Sequence, residues 1–237
     1  MRAVRRLVYA VVAGSLLVAA GCGGSSAKQN GEDKKSAQQI LSDVQQALSS
    51  ASSVHVTGHV TVPGAGDVQL DLHMSGPTTG KGTVKVKGQP FDVVRVGKDI
   101  YLKASAAAYA ASGIPATEGA LIADRWIKAP AEAAQFKQLS GFIGLQPIAG
   151  ILAPTGTLQK GPKKSIDGTP TVGLQDVVNG RVNGTAYISL VGKPYPLRVD
   201  GTSKAGASGR VDFKDWDKPV TVNAPSGAFD VSKFLTG

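Results

Sequence analysis

From Val54 onward the chain is written largely in alternation, and no other feature restricts its fold so strongly. Val54, Val56, Val60 and Val62 fall on one side of an extended segment, and His55, Thr57, His59 and Thr61 fall on the other. That is the pattern of a strand buried on one face only. Residues 63–66 read as a turn, and Leu70, Leu72 and Met74 return the apolar face on a second strand. Strand-like runs bounded by Gly, Pro, Asn or Asp follow at 83–87, 91–96 and 100–104, so this half predicts a meander of about five antiparallel strands. A second series occupies 157–164, 171–176, 185–191, 197–203 and 210–216.

The stretch between the two series has a different texture. Residues 104–111 are alanine-rich and predict a short helix, residues 125–128 an extended piece, and Pro130 the first turn of a helix running through Phe136 and Leu139. Beyond it lies GFIGLQPIAGILAP (141–154), whose Gly141, Gly144, Pro147 and Gly150 forbid a long straight helix. Short helical pieces or a loop laid on the sheet are expected there, in a segment able to move aside. Upstream of the strands, Ser36 and Gln39 spell a capping box. Ala37, Ile40, Leu41, Val44, Ala47, Leu48 and Ala51 then recur at spacings of three and four, so this helix must lie against something. The order helix, strands, helical insertion, strands predicts an α+β fold: a curved antiparallel sheet, or half-barrel, with helices covering its concave face.

Cys22 is the sole cysteine, which rules out an intramolecular disulfide, a cysteine zinc cluster and a CxxC redox pair. Arg2, Arg5 and Arg6 precede an uncharged run at 7–20, too short for the roughly 20 residues of a membrane span. The run ends in VAAGC (18–22), which resembles a bacterial lipobox with Ala19 where Leu is more usual. The resemblance implies cleavage before Cys22 and diacylglycerol on its sulfur. Residues 1–21 are therefore expected to be a lipoprotein signal peptide, 22–35 a lipidated cysteine with a flexible tether (GGSSAKQNGEDKK from Gly23), and 36–237 a single domain. Two acyl chains hold a protein on a membrane where one does not. Removing the leader takes three arginines from a net charge of +9 and leaves +6. For an exported chain this charge points to an anionic envelope surface and away from nucleic acid.

The lipobox, the tether, the Ser36 helix, SSVHVTGHV (52–60), VGKDIYLKA (96–104), RWIKAP (125–130), GKPYPLRVD (192–200) and VDFKDWDKPVTVNAP (211–225) come in a telling order. In that order the chain resembles the LppX/LprA/LprF/LprG-type lipoproteins of mycobacteria and other actinobacteria. The resemblance implies a half-barrel similar to LolA and LolB, with an apolar cavity for the acyl chains of lipids or lipoglycans. It also implies anchorage to the plasma membrane through Cys22, transport across the cell envelope, and a membrane exporter as a partner. No cofactor and no chemistry are implied.

The cavity wall expected from the alternation comprises Val54, Val56, Val60, Leu70, Leu72, Met74, Phe91 and Val93 on strands, with Phe136, Leu139, Phe142, Ile143, Leu145, Ile148, Ile151 and Leu152 from the insertion. A solid core is the competing reading of the same alternation. It would make the chain a structural, sensor or accessory interaction lipoprotein without lipid cargo.

Catalytic constellations are missing from the sequence. AGASG (205–209) fails the GxSxG spacing and reads as a turn. GTLQKGPKKS (156–165) places Pro162 where a phosphate loop needs lysine, and Lys160, Lys163 and Lys164 read as a solvated basic turn. Asn183-Gly184-Thr185 reads as a hairpin turn better than as a glycosylation acceptor. Trp216 is expected to pack at the end of the last strand. With Val60 facing Leu70, His73 would lie opposite Thr57 and diagonal to His55 and His59, at about 7 Å. With only Asp71 as an acid on that face, the expectation is a polar outer surface and no metal site.

Overall fold

Two-residue loops set the register of the sheet. Lys87-Gly88, Asp167-Gly168 and Asn179-Gly180 each have positive φ at both residues, the type I′ geometry that matches the twist of a hairpin. These loops join β3 (Thr79–Val86) to β4 (Gln89–Val96), β7 (Thr157–Ile166) to β8 (Thr169–Val178), and β8 to β9 (Arg181–Ser189). The computed structural model describes residues 28–202 and 206–234; the expected signal peptide and Cys22 lie outside the described residues, as does Ala205 of the AGASG segment.

Twelve strands among the described residues pair in one open sheet, in the order β12-β6-β5-β4-β3-β2-β1-β11-β10-β9-β8-β7. The remaining members are β1 (Ser53–Val62), β2 (Gly66–Ser75), β5 (Asp99–Ala104), β6 (Ile127–Pro130), β10 (Pro196–Thr202), β11 (Ser208–Lys214) and β12 (Phe229–Asp230). All neighbours are antiparallel except β12 on β6. The α+β fold is the one expected: a curved open antiparallel sheet whose apolar face carries the helices. No helix among the described residues is long and apolar enough to cross a membrane.

Helix α1 (Ala37–Ser49) starts at the capping box, where the Ser36 hydroxyl accepts from the Gln39 amide and the Gln39 side chain accepts from the Ser36 amide. Its stripe is buried as the spacing demands, with Ile40 and Val44 at 0 % exposure against Val172, Leu174, Ala186 and Ile188 of β8 and β9. Each such aliphatic side chain contributes about 2 kcal/mol by leaving water. The insertion supplies α2 (Ala106–Ala111), α3 (Ala116–Ile122), α4 (Ala134–Ser140) and α5 (Gln146–Ile151).

Several expectations are corrected. The first hairpin closes through a three-residue loop, so Val60 faces Val68, Gly58 faces Leu70, and His55 rather than Thr57 faces His73. Burial, and next the neighbouring His55, hold the His73 imidazole below the usual histidine value. The Asn183-Gly184-Thr185 segment lies inside β9, because Asn179-Gly180 already makes the turn. Pro130 closes β6 instead of opening a helix, as a proline at a strand end can, and α4 starts only at Ala134. Helix α3 and β12 carry no alternation or stripe long enough to be read.

The expected tether is docked from Gln29 onward. Gln29 bridges to Val191, the Asn30 side chain donates to the Ser189 and Gly192 carbonyls, and a turn of 3-10 helix at Glu32–Lys34 buries Glu32. The lysines read as a basic turn belong to edge strand β7 and hold this segment: Lys163 pairs with Asp33 at 2.7 Å, and Lys160 donates to the Asp33 and Lys35 carbonyls.

Trp216 packs just past β11, stacked on Tyr195 at 4.4 Å, with its indole N–H donating to the Pro196 carbonyl. Beside it, Asp217 accepts from the Ser52 amide, the Lys193 ammonium and the Tyr195 hydroxyl, joining three segments far apart in sequence. Burial opposes the charge, but these donors prevail and lower the Asp217 carboxyl to about 2. An unfolded aspartate titrates near 3.9, so the contribution is complete above about pH 5 and is lost as pH falls from about 4 to 2. Asp217→Asn should cost about 1–2 kcal/mol at pH 7, after allowance for its partial exposure, and almost nothing at pH 2. Urea denaturation across that range checks this, and a pH-independent loss would reject the ionic account.

Candidate lipid-binding cavities

The apolar face is organised in rows that run across the strands. Leu174, Ala186, Val199, Val211, Gly58, Leu70, Val84, Phe91 and Ala104 are successive partners from β8 to β5. The next row on the same face reads Asp176, Gly184, Gly201, Gly209, Val60, Val68 and Val86. Three adjacent strands there present glycine where a side chain would stand. At Gly201 (φ 138°) and Gly209 (φ 143°) a β-carbon would approach neighbouring backbone to 2.3 Å, so only glycine fits. The row of missing side chains is a trough in the sheet.

A cavity of about 350 Å³ lies over that trough. Its floor is Gly184, Gly201, Gly209, Val60, Val199 and Val211; Phe142, Ile148, Ile151 and Leu152 close it from the insertion, and Val56, Leu70, Met74, Leu174, Ala186 and Phe213 line its sides. Polar groups gather at one end, where the Asp176 carboxylate accepts from the Thr155 hydroxyl, the Thr155 and Gly156 amides and Asn183. Burial works against the Asp176 charge, yet these donors hold its carboxyl below the ordinary value. The carboxylate fixes the loop after α5 to β8.

A second cavity of about 960 Å³ opens under α2, α3 and α4. Val84, Val86, Phe91, Leu102 and Ile127 of the sheet face Tyr109, Ile114, Ile122, Phe136 and Leu139 across it. Phe91 meets Tyr109 edge-on at 6.1 Å. Leu121, 75 % exposed, and Phe229, 45 % exposed, stand in its lining with Glu118, Arg125 and Gln135. Both volumes fall in the range of small-molecule sites, roughly 300–1,000 Å³.

The residues expected as one wall are thus divided. Val56, Val60, Leu70, Met74, Phe142, Ile148, Ile151 and Leu152 line the first cavity, and Phe91, Phe136 and Leu139 line the second. Val54, Leu72, Val93 and Ile143 line neither: each is at 0 % exposure in solid core. Leu145 is packed partly buried against that core. Sequence reasoning left out the contribution of β8 to β11. Its available signal was glycine inside strand patterns, at 184, 201 and 209, a sign of close backbone approach or missing packing.

Arg95 pins the insertion down. It stands on the apolar face among Met74, Gly80 and Ile100, 9 % exposed, and its guanidinium donates to the Ser140 carbonyl at 2.6 Å, with a longer contact to that of Ile143. Ile143 sits over Gly80, where a β-carbon would lie 2.8 Å from its methyl group, and Gly144 (φ 122°) presses on Pro77. Gly144 is therefore a packing glycine at a fixed point, and the Leu145 and Gln146 amides continue the attachment by donating to the Gly76 and Pro77 carbonyls.

Neither a protein-family model nor a curated protein matches the sequence. Among solved structures, LprF from Mycobacterium bovis is similar at 20 % identity and a TM-score of 0.53, over 81 % of this chain and 97 % of that one. The Mycobacterium tuberculosis lipoprotein LppX is similar at 16 % identity and a TM-score of 0.50, over 78 % of this chain and 99 % of that one. At these identities the shared property is the fold, and it is the fold that the sequence resemblance implied.

Arg95→Met should lower stability by about 2–3 kcal/mol, since it leaves buried carbonyls without their donor. Hydrogen exchange should rise mainly in residues 131–145; exchange that rises uniformly over the sheet would deny Arg95 its role as a latch.

Proposed function

We propose that this chain is a membrane-anchored lipoprotein that shelters the acyl chains of a lipid or lipoglycan in its apolar cavities and carries them across the cell envelope. The observation that carries this reading is the glycine trough. Backbone crowding bars side chains from Gly201 and Gly209, and the insertion does not descend to fill the space above them, as it would over a solid core. An acyl chain laid in the trough leaves water at about 0.8 kcal/mol per methylene, which is the barrier a free lipid meets in an aqueous gap. The polar end near Thr155 and Asp176 suits a headgroup, and the exposed Leu121 and Phe229 suit the approach of a chain to the larger cavity. Binding alone accounts for the site, with no covalent step.

The anchor fits this mechanism. Cys22 is seven residues before Gln29, so a lipid on its sulfur would reach the docked segment through about 25 Å of extended chain at most. The edge made by β7 to β9 would stay close to the bilayer. The likeness in fold to lipoproteins supports this reading without naming the lipid.

Chain purified from an actinobacterial host should carry stoichiometric acyl lipid by native mass spectrometry and extraction. Ala186→Phe, which fills the first cavity between Leu174 and Val199, should lower lipid occupancy at least tenfold while the fold is kept. A well-folded chain that is empty and takes up no added lipid would favour the interaction lipoprotein instead. Separately, Cys22→Ala should move the protein from the membrane to the aqueous fraction, and full retention on the membrane would refute the anchor.

A further inference from the structure

The face opposite the cavities is polar, and at its middle the register brings together side chains that lie far from any lipid path. Across strands β11, β1, β2 and β3, Lys214, His55, His73 and Lys81 are successive partners. Asp71 is two residues from His73 on β2 and so shares its face. The His55 and His73 rings stack at 4.0 Å with an interplanar angle of 9°. His55 Nε2 lies 2.7 Å from Asp71 Oδ1. One donor atom from each of His55, His73 and Asp71 can be chosen so that all lie within 4.8 Å of one another.

We propose that His55, His73 and Asp71 form a site for a borderline divalent transition-metal ion, Zn²⁺ or Cu²⁺, on the outer face of the β1–β2 hairpin. The donor set decides the class of ion. Two imidazoles and one carboxylate suit Zn²⁺ and Cu²⁺, whereas Mg²⁺ and Ca²⁺ take oxygen alone. The backbone can stay fixed, but the two rings must leave their stack. An imidazole lone pair lies in its ring plane, so parallel rings cannot aim at one ion, and turning the rings about their side-chain torsions brings the donors to the roughly 3.3 Å separations that zinc bonds of about 2.0–2.1 Å require. Two of the three ligands share one strand and the third is directly across it, so the paired backbone sets their spacing before any ion arrives.

The charges around the site are mixed. Asp71, 65 % exposed in its side chain, and the nearby Asp215 favour a cation, and Lys81 and Lys214 on the flanking strands oppose one. With three protein ligands on an open face, the remaining coordination positions belong to water, so the ion exchanges readily and is open to a partner's ligand. The third histidine supplies an internal control. His59 is four residues along β1 from His55 and bonds to Asp67, away from the triad.

The test is calorimetric titration of the full chain, free of any histidine tag and held in detergent, with ZnCl₂ and separately with CuCl₂. One ion per chain is expected for at least one metal, with affinity at least tenfold weaker in His55→Gln and His73→Gln and unchanged within twofold in His59→Gln. Asp71→Asn, at an exposed position that leaves the ring stack intact, should weaken binding at least threefold. Circular dichroism on each variant separates lost ligands from lost fold. Cobalt absorption in the visible range should report nitrogen ligation in the wild type and vanish in His73→Gln. No binding of either ion, equal binding in His55→Gln and His73→Gln, or an equal loss in His59→Gln would each overturn the site.

Discussion

One apolar face on an open sheet governs the rest of this structure. The twelve strands span roughly 55 Å at a spacing of about 4.8 Å, and the sheet does not close on itself to hide that face. Water must be kept from it by helices, each about 10 Å across, and the longest among the described residues has thirteen residues. Helix α1 covers β8 and β9, α2 packs on β4 with α3 against it, and the short α4 and α5 take the middle. Coverage is incomplete at two places, and those are the cavities.

The gaps are held open by specific residues. Glycine at 184, 201 and 209 removes what would have filled the floor of the first cavity, and backbone crowding at Gly201 and Gly209 makes the removal obligatory. The solid strip between the cavities, Val54, Leu72, Val93 and Ile143, is fixed by the Arg95 guanidinium bound to the carbonyls at the end of α4. A buried cation is costly unless its hydrogen bonds are met, so Arg95 ties the position of the insertion to that of β4. The segment that closes the first cavity begins just past this point, which leaves α5 supported at one end by the latch and at the other by Asp176.

The opposite face obeys other rules. Free of the need to exclude water, it carries cross-strand pairs such as Arg198 with Asp212 and Arg210 with Asp200, and among them the stacked histidines. Lipid shelter and metal ligation would therefore occupy opposite sides of the same hairpin, with the period of two along β1 and β2 separating apolar from polar chemistry.

Strand alternation and the capping box were legible residue by residue: β1 to β5, β8 to β11 and α1 are announced by local patterns, because burial on one face leaves its period in the sequence, whereas β7, exposed along most of its length, read partly as a basic turn. In the insertion the short helix α2, the extended β6 and the helical piece α5 were legible, and the helix start at Pro130 and helix α3 were not. What the sequence could not supply was anything depending on partners chosen at long range. A hairpin register two residues different moved His73 from Thr57 to His55, and only the closure of the three-residue loop decided it. Alternation marks Val54 and Val56 alike as inward, yet one is solid core and the other lines a cavity, because that distinction rests on what the insertion places above each. The glycine row exists only when β9, β10 and β11 are side by side. By itself the sequence determined which side chains face inward; tertiary structure alone decided where the inward face is filled and where it is left open, since packing against distant segments leaves no period along the chain.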